Sequence, residues 1–573
     1  MYTLRDLQKA RKIVVSSSES RIAVIGNCST QFFSQAIEGL GKLNGLNTKV
    51  FDTDYNQIEA QLVDPNSNVY QFNPKTIVLW LGTGKLYEEF MEEDTVTRKC
   101  FAEHCLKRMQ DYWDYVEKYS NARLLQMNFP EFNDMVLGSY SCKIDSTFVY
   151  QIRRLNYLLQ ETASKRQNVY IVDILTIQMR IGLETFSNPQ LYYSSKMEIS
   201  MEALPFAAKA VVDILLAMEG RVKKCIILDL DNTLWGGVIG DDGLAGIEIG
   251  EFGKGHVFTN IQYWLKLLKE YGIILVVCSK NDEETAREPF ERHKEMVLRL
   301  ADISLFVANW NDKATNIKLI QESLNIGMDS IVFIDDNPFE RNLVKQRIPE
   351  LEVPDLPEDP AEWLLFLQNR NYFETISYST ETNDRTKMYQ QEYERKKLAV
   401  TFESIDDYLA SLEMTGTCEL FEPERYPRIS QLTQRSNQFN LRTRRYTEND
   451  IQMIAEDSSY IPLFFTLKDK FGDYGIISIV ILKKQSDKVL FIDSWVMSCR
   501  VLKRGMEEFV MNKIVSIARK RGVETIIGEY VPTSKNAMVK DLYLKLGFST
   551  LEKGRYELKI SAYVESKTLI KGE

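Results

Sequence analysis

The amino-acid sequence predicts an α/β protein in which two doubly wound units with parallel sheets are followed by an α+β unit. Residues 21–220 alternate short apolar runs with longer helical stretches, and a second series of the same kind begins at KKCIILDLD, residues 223–231. From about residue 411, segments of alternating polarity surround one amphipathic helix, GMEEFVMNKIVSIARKRG. The chain has 573 residues, which is more than one hydrophobic core supports, so we expect about three domains.

Breaks in the pattern set the domain boundaries. The second strand series ends in IPELEVPDLPEDP, where four prolines fall within 12 residues, a density that neither a helix nor a central strand tolerates. Residues 381–410 are strongly charged and contain neither proline nor glycine, which favours a solvated connecting helix. We therefore predict domains at 1–220, 221–370 and 411–573, with a helical linker at 371–410.

Composition excludes several classes of protein. The chain is 44% apolar and 27% charged, as soluble globular proteins are, and no apolar run approaches the roughly 20 residues that span a bilayer. Its first residues, MYTLRDLQKARKIVV, lack the apolar core of a secretory signal, so we expect a cytoplasmic protein. The net charge of −10 disfavours a general nucleic-acid binder. Eight scattered cysteines without a CxxC pair argue against zinc and against a disulfide framework.

Two carboxylates follow the apolar strand in CIILDLDNT. Asp229 and Asp231 lie two residues apart, so on an extended strand their side chains point the same way, at the sheet edge where open α/β sheets bind ligands. Like charges about 4 Å apart repel by roughly 4 kcal/mol at an effective dielectric of about 20, so the pair favours a bound cation. Mg²⁺ prefers such oxygen ligands, above all beside a phosphate.

Three later features strengthen this interpretation over a simple turn or helix cap. Ser279 ends the next apolar strand, Lys313 follows in NDKATN, and Asp335 with Asp336 closes SIVFIDD. A hydroxyl, a cation and two further carboxylates thus lie at predicted strand ends or in nearby loops. Together they are the groups that phosphate binding requires.

These motifs, taken in order, resemble the four motifs of the haloacid dehalogenase (HAD) superfamily. The resemblance implies that Asp229 is a nucleophile that forms an aspartyl-phosphate and that Asp231 is its acid/base partner. It also implies that Ser279 and Lys313 hold the phosphoryl oxygens. The implied Mg²⁺ site consists of four aspartates: Asp229, Asp231 through its main-chain carbonyl, Asp335 and Asp336.

The spacing of the motifs leaves no room for a cap domain. Between Asp229 and Ser279 there is a glycine-rich flap, GGVIGDDGLAGIEIG, and one amphipathic helix at 256–271. Between Ser279 and Lys313 only a helix and a strand fit. We therefore expect a site that is open to solvent or to a protein-borne substrate.

A more specific resemblance covers roughly residues 221–560. The runs LDLDNTLWGGVIGDDGLAGIEIG, VVCSKND, FIDDNPFERNLV and SNQFNLRTRRYT are similar to those of the FkbH-like family of HAD proteins. Such proteins build a glyceryl unit on an acyl carrier protein from a phosphorylated three-carbon intermediate. The resemblance implies that the phosphatase centre removes the phosphate and that the acyl group travels through a cysteine thioester.

The third unit resembles the GNAT acyltransferase fold. Strand SWVMS leads into Cys499, Arg500 and Gly505, and NAMVKDLYLKLGF supplies Asn536 and Tyr543. The resemblance implies a cofactor site at Arg500, Gly505, Asn536 and Tyr543 for coenzyme A or a phosphopantetheine arm, with pyrophosphate held at a helix N-terminus. Lys503 stands where the family pattern has its first glycine, which argues against the standard mode of binding coenzyme A and against simple N-acetylation.

The first unit is similar to SGNH hydrolases in the run VIGNCST, with Cys28 near the nucleophile position. No histidine occurs between His104 and His256, so the base that such a hydrolase needs is missing. A scaffold or carrier-docking role fits this unit better than hydrolysis.

Cys499 is our candidate for the cysteine that carries the acyl group. It ends an apolar strand next to Arg500 and a predicted helix N-terminus, and both features favour the nucleophilic thiolate. An inert buried cysteine is the alternative, and Cys28 and Cys278 are rival candidates.

The expected partners are an acyl carrier protein and a phosphorylated three-carbon acid. We expect the carrier to dock on Arg435, Arg442, Arg444 and Arg445 of QRSNQFNLRTRRYT, unless that run is simply a solvated surface. Two other functions stay open. One is a stand-alone phosphatase fused to a separate GNAT-type acyltransferase, and the other is a scaffold with vestigial sites.

Overall fold

The protein, a computed structural model, forms two compact units, residues 1–216 and 217–573. The structure describes residues 2–132, 134–377, 385–399, 401–402, 404–533 and 535–572, without the side chains of residues 385, 393, 394, 396, 397, 399 and 499. The predicted division of the second unit into separate domains stays a prediction. Among the described residues, no helix has the length and apolar character needed to cross a membrane.

The first unit is a five-stranded parallel sheet between helices. Its strands run in the order β2-β1-β3-β4-β5. The strands are β1 Glu19–Gly26, β2 Asn47–Asp52, β3 Thr76–Trp80, β4 Arg123–Met127 and β5 Val169–Val172. The helices are α1 Leu4–Ala10, α2 Gln31–Leu43, α3 Ile58–Val63, α4 Asn68–Phe72, α5 Thr83–Glu92, α6 Phe101–Tyr119, α7 Phe148–Ala163, α8 Ile174–Ile181, α9 Leu183–Phe186, α10 Pro189–Ser195 and α11 Leu204–Met218.

The second unit opens with a four-stranded parallel sheet in the order β8-β7-β6-β9. Apart from Ser279, its strands are apolar on both faces, as expected where helices cover both sides of a parallel sheet. The strands are β6 Cys225–Leu228, β7 Ile274–Ser279, β8 Leu305–Ala308 and β9 Ile331–Ile334. The helices are α12 Ile239–Gly246, α13 Gly253–Glu270, α14 Glu283–Arg292, α15 Lys313–Leu324, α16 Pro338–Arg347 and α17 Trp363–Arg370.

An eight-stranded mixed sheet completes the second unit, in the order β15-β16-β14-β13-β12-β11-β10-β17. The strands are β10 Thr415–Leu420, β11 Tyr460–Asp469, β12 Gly472–Ser486, β13 Val489–Met497, β14 Thr525–Glu529, β15 Ser549–Glu552, β16 Arg555–Lys559 and β17 Lys571–Gly572. The helices are α18 Arg385–Ala399, α19 Ile405–Ser411, α20 Tyr426–Arg435, α21 Glu448–Glu456, α22 Met506–Lys520 and α23 Leu542–Lys545. The predicted fold class, two α/β layers with parallel sheets followed by an α+β part, is confirmed.

The prediction that the charged stretch 381–410 is a solvated helix is wrong about the surroundings of that helix. Residues 381–384, 400 and 403 of it lie outside the described part of the chain, but α18 within it is packed against the eight-stranded sheet. Arg395 is 1% exposed and donates to both carboxylate oxygens of Asp469, at 2.7 and 2.8 Å. Arg504 similarly pairs with Glu392 at 2.7 Å. The sequence alone suggests a solvated helix, because the residues that pair with its buried charges lie far away along the chain.

Candidate active site

The predicted carboxylates meet at the carboxyl edge of the four-stranded sheet. Asp229 follows β6, and Asp335 follows β9, the neighbouring strand, so the two side chains lie side by side. Lys313, the first residue of α15, reaches between them: its Nζ lies 2.8 Å from Asp229 Oδ2 and 2.6 Å from Asp335 Oδ2. All three side chains are more than nine-tenths buried. A buried lysine between two buried carboxylates forms a rigid charged centre.

Asp336 completes a cluster that fits a divalent cation. Carboxylate oxygens of Asp229, Asp335 and Asp336 all lie within 4.8 Å of one another. Burial, and then the charge of Asp229, raise the pKa of Asp335 to about 6 and also raise the pKa of Asp336. Three carboxylates against one lysine leave excess negative charge, and hard oxygen ligands are the set that Mg²⁺ prefers. The donor set therefore fits the Mg²⁺ that the sequence predicted.

Asp231 is held apart from that cluster by hydrogen bonds. Its Oδ1 accepts from the Ile239 backbone N–H at 2.9 Å and from Trp235 Nε1 at 3.0 Å, and its Oδ2 accepts from Asn281 Nδ2 at 3.0 Å. Burial, more than these hydrogen bonds can offset, raises the pKa of its carboxyl above the usual value. A positioned carboxyl with a raised pKa suits proton transfer better than metal ligation.

Three residues of this site escaped the sequence analysis. Trp235 and Asn281 orient Asp231, as described above. Arg341 Nη1 donates to the backbone carbonyls of Asp335 and Asp336, at 2.8 and 2.6 Å, and so fixes the turn that carries both carboxylates. Only the run FIDDNPFER, with an arginine one helical turn into α16, offered a signal for Arg341.

Ser279 is the last residue of β7, the strand on the other side of β6. It is 2% exposed, and its backbone carbonyl accepts from Asn309. The neighbouring strand order brings its hydroxyl to the same sheet edge as Asp229. The structure thus collects Asp229, Asp231, Ser279, Lys313, Asp335 and Asp336 at one edge.

No cap domain covers this edge within the described residues. The flap consists of the short helix α12 and a bridge between Gly236 and Glu248. Three segments that surround the edge expose large aromatic side chains: Phe252 is 86% exposed, Trp310 76% and Phe339 71%. Exposed aromatic residues of this size at an open site are typical of protein-recognition surfaces.

The eight-stranded sheet opens where its parallel strands β13 and β14 diverge. Strands β13 and β14 pair over only three residues, 489–491 with 525–527. Beyond them, Phe439–Leu441 fills the gap: Leu441 N–H donates to Trp495 O at 3.3 Å, and Leu441 O accepts from Val531 N–H at 2.9 Å. The chain's own backbone thus occupies the opening between the strands.

Two of the residues predicted to bind a cofactor, Asn536 and Tyr543, are instead buried within the protein. Asn536 is fully buried, and its amide donates to the carbonyls of Asn440 and Val531, both at 2.9 Å. Tyr543 is fully buried in the core. Gly505 immediately precedes α22 and has φ +76°, a conformation that favours glycine. The first turn of α22 carries Glu507 and Glu508, which repel an anion at that helix end.

Cys499 begins a short 3₁₀ turn, Cys499–Val501, and its side chain lies outside the described residues. The α-helix expected directly after it begins only at Met506, so the predicted helix-dipole effect on its thiol is wrong. Its rivals are buried. Burial raises the pKa of Cys278 to about 12, and burial followed by the charge of Glu198 raises the pKa of Cys28 well above its ordinary value.

Glu198, also missed in the sequence, lies in the first unit with Cys28. Its Oε2 accepts from the Gly84 N–H at 3.1 Å, while its Oε1 is buried and without a hydrogen-bond partner. Burial raises the pKa of Glu198 to about 7. A Cβ on Gly82 would come within 2.1 Å of Glu198 Oε1, so the carboxyl occupies space that only a glycine leaves.

The arginines predicted to dock a carrier protein do not form an exposed patch. Arg442 is ion-paired with Asp493 at 2.7 Å and with Glu529 at 2.6 Å, and Arg444 also pairs with Asp493. Arg445 donates to the carbonyls of Thr433 and Ser436. Because Arg442, Arg444 and Arg445 are already bonded within the protein, the prediction that the four arginines together form a docking surface is wrong.

Comparison with known proteins identifies the family. Residues 21–216 match the family model described as FkbH, N-terminal domain. The N-terminal part of the protein BF1531 from Bacteroides fragilis, whose structure contains a phosphatase domain complexed with Mg, is 42% identical, with a TM-score of 0.63 over 66% of this chain and 100% of that chain. The chain belongs to the FkbH-like family of the HAD superfamily. The predictions of family, fold class and enzyme class are confirmed at this level.

Other similarities are weaker. The ribosomal-protein-S18-alanine N-acetyltransferase of Escherichia coli is 18% identical and covers 27% of this chain and 99% of its own, with a TM-score of 0.21. Rv2747 from Mycobacterium tuberculosis, solved with CoA and NLQ, is 11% identical and covers 24% of this chain and 72% of its own, with a TM-score of 0.19. Scores this low carry no conclusion about activity. A comparison with curated proteins gives no significant match.

Proposed function

We propose that this FkbH-like protein removes phosphate from a phosphorylated three-carbon acyl group and passes the acyl group to an acyl carrier protein. The observation that carries the phosphatase part is Lys313, held between Asp229 and Asp335 at 2.8 and 2.6 Å beside a third carboxylate. That arrangement supports a site with a nucleophile, a cation for the phosphoryl oxygens and a metal-binding cluster on one sheet edge.

The chain's own residues divide the work. Asp229 attacks phosphorus, forming an oxygen–phosphorus bond as the bond to the leaving oxygen breaks. Asp231 gives its proton to that oxygen and then takes one from the water that hydrolyses the aspartyl-phosphate. Lys313 and Ser279 hold the phosphoryl oxygens. Mg²⁺, which supplies positive charge to the phosphoryl group when bound, would be held by Asp229, Asp335, Asp336 and the Asp231 carbonyl.

The open edge supports a substrate borne by a protein. No cap domain covers the centre within the described residues, and the exposed rings of Phe252, Trp310 and Phe339 can contact a carrier surface. The resemblance to FkbH-like proteins supports the three-carbon acyl group and the acyl carrier protein. We also propose a cytoplasmic location, where such a carrier-dependent reaction takes place.

A cysteine thioester would link the two steps. The thiolate attacks the acyl carbonyl of an activated donor and expels its leaving group, and the carrier thiol then displaces the cysteine thiolate. Cys499 is our candidate because Cys28 and Cys278 are buried with raised pKa values. Acetyl transfer from coenzyme A fits less well, because Phe439–Leu441 fills the strand opening and Glu507 and Glu508 begin α22.

Intact mass after incubation with phosphorylated three-carbon acyl donors and Mg²⁺ tests the proposal. Wild-type protein should carry a phosphorylated acyl adduct, and once an acyl carrier protein is added the acyl group should appear on the carrier without phosphate. With Asp229→Asn the acyl group on the carrier should keep its phosphate. Peptide mapping should locate the adduct on Cys499, and Cys499→Ser should lose it while a generic phosphate ester is still hydrolysed. No adduct in either protein would overturn the acyl-transfer part, and an adduct on another cysteine would overturn the assignment of Cys499.

A further inference from the structure

A cavity of the second unit lies at the edge of the four-stranded sheet opposite the carboxylate cluster. It has a volume of about 320 Å³ and lies between the four-stranded and the eight-stranded sheets. On one side it is lined by Lys224 and Ser330, which immediately precede β6 and β9. It therefore opens at the amino edge of the four-stranded sheet, whereas Asp229 and Asp335 follow the same two strands at the carboxyl edge.

The cavity is strongly basic in an acidic protein. Among the described residues that line it are five basic side chains and one acidic one: Lys224, Arg428, Arg435, Arg500 and Lys535, with Asp329. The chain as a whole has a net charge of −10. Lys535 is paired with that acid, Asp329. Concentrated positive charge in a confined space attracts an anion.

Two of these guanidinium groups lack an acidic partner. Within the part of the chain that the structure describes, no carboxylate forms an ion pair with Arg435 or Arg500. Burial and the nearby charge of Arg428 lower the pKa of Arg435 to about 10. Among the described residues, the Arg500 guanidinium donates to Ser498 Oγ, at 3.3 Å, and to the sulfur of Met388, a weak acceptor. A bound anion would supply the charge and the acceptors that both groups lack.

A hydrogen-bond acceptor completes the lining. Gln438 Oε1 is buried and has no hydrogen-bond partner among the described residues. A buried acceptor without a donor is unfavourable unless a ligand supplies one. A hydroxyl group on the ligand would do so. The cavity thus offers two cationic forks for an anion and one acceptor for a neutral donor.

We propose that this cavity binds a small phosphorylated organic acid that carries a hydroxyl group, with its anionic groups on Arg435 and Arg500. This rests on the proposed function, because it names the place where the phosphorylated three-carbon acid is held before acyl transfer. Ser498 and Arg500, which line the cavity, flank Cys499 in the chain. Loading and dephosphorylation would then occur at opposite edges of one sheet.

Calorimetric titration of the full-length, metal-free protein with 3-phosphoglycerate tests the proposal. Without metal, the phosphatase centre holds three carboxylates against one lysine and repels the probe, so the binding measured is that of the cavity. Wild-type protein should bind, and Arg435→Gln and Arg500→Gln should each weaken binding at least about tenfold. Arg444→Gln, at a partly exposed arginine paired with Asp493, is the matched control and should bind like wild type.

Further variants and a second ligand make each outcome of the titration support or overturn the proposal. Arg500→Lys and the surface variant Lys535→Gln should bind more weakly than wild type and serve if a glutamine variant does not fold, as judged by circular dichroism. Wild-type affinity in all the cavity variants, or no binding by wild type, overturns the proposal. Binding of 4′-phosphopantetheine but not of 3-phosphoglycerate would assign the cavity to the carrier arm and also overturn it. Because no catalysis is measured, failure of the phosphatase proposal would leave this result interpretable.

Discussion

At the scale of single residues, the site separates two aspartates that are almost adjacent in sequence. Asp229 faces Lys313 and the carboxylate cluster, whereas Asp231 is turned toward the flap by donors from Trp235, Ile239 and Asn281. Different surroundings give two identical side chains different roles. In the proposed mechanism Asp229, beside a cation, is the nucleophile, and Asp231, with a raised pKa, transfers a proton.

Removing the Asn281 amide should slow turnover and shift its pH dependence. Asn281→Ala removes a hydrogen bond to the charged form of Asp231, so the pKa of that carboxyl rises further. Activity is lost on the alkaline side when Asp231 gives up the proton it donates, so the alkaline limb should move to higher pH. The lost positioning should lower kcat by about 10- to 100-fold. A pH–rate profile of phosphate release checks this, and a limb that stays in place at full kcat would contradict the role given to Asn281.

Glu198 should make the stability of the first unit depend on pH. Its pKa is raised from 4.5 to about 7, so between these values the folded state holds a proton that the unfolded state has lost. Stability contributed by the protonated carboxyl is therefore complete below about pH 4.5 and is lost as pH rises toward 7. Glu198→Gln should remove this loss and be more stable than wild type by up to about 3 kcal/mol at pH 8, with little difference at pH 4.5.

Urea unfolding at both pH values measures the effect of Glu198→Gln. Glu202→Gln, an exposed glutamate four residues along, is the control and should follow wild type. A constant difference between Glu198→Gln and wild type across this pH range would mean that Glu198 is not the titrating group.

The sequence was sufficient to identify residues whose role follows from their position at or beyond the end of a strand. Asp229, Ser279, Lys313 and Asp335 could be found because each lies at or just beyond an apolar run, and parallel strands bring those ends together. Asn281, Arg341 and Glu198 could not be found, because their importance depends on which atom each side chain reaches. Hydrogen bonds of this kind leave no periodicity in the sequence.

At the scale of elements, the loops around the carboxyl edge determine which substrate reaches the site. Trp310 lies in the loop after β8, and Phe339 lies in the first turn of α16, just beyond Asp335 and Asp336. Both rings are mostly exposed. Exposed rings of this size have no role in folding that the structure reveals, so a role in recognition is the simplest explanation.

Truncating these rings should affect only a protein-borne substrate. Trp310→Ala with Phe339→Ala should lower kcat/KM for the acyl group on its carrier by about tenfold or more, because interface aromatics contribute most to binding. Hydrolysis of a small phosphate ester should stay within about twofold of wild type. Tyr157→Ala, at an exposed tyrosine of α7 in the other unit, is the control. Equal losses on both substrates would show that the rings support the site itself.

Elements were predictable where the sequence pattern that specifies them is local. The prediction failed where it is not. The strands of both parallel sheets follow from apolar runs of the right length. The insertion of Phe439–Leu441 between diverging strands could not be predicted in this way, because its hydrogen-bond partners lie about 55 and 90 residues away. The arginines beside it looked like a basic surface for the same reason: Asp493 and Glu529, which neutralise Arg442, are distant in sequence.

At the scale of the whole molecule, both edges of the four-stranded sheet have a proposed function. The carboxyl edge of the four-stranded sheet holds the phosphatase centre, and the amino edge borders the basic cavity beside Ser498 and Arg500. An acyl group bound at one edge cannot reach the other without being carried. A mobile carrier arm would solve this problem, which is why an acyl carrier protein fits the molecule better than a freely diffusing substrate.

The central claim is that Asp229 is the nucleophile of a phosphatase for a carrier-bound, phosphorylated three-carbon acyl group. The most direct test is the rate of phosphate release from that substrate in the presence of Mg²⁺, measured for wild type and for Asp229→Asn with circular dichroism as the check on folding. The amide keeps the volume of the side chain but cannot form the phosphorylated intermediate, so the rate should fall by about three orders of magnitude or more while the fold is unchanged. Near-normal phosphate release by a folded Asp229→Asn protein would contradict the account.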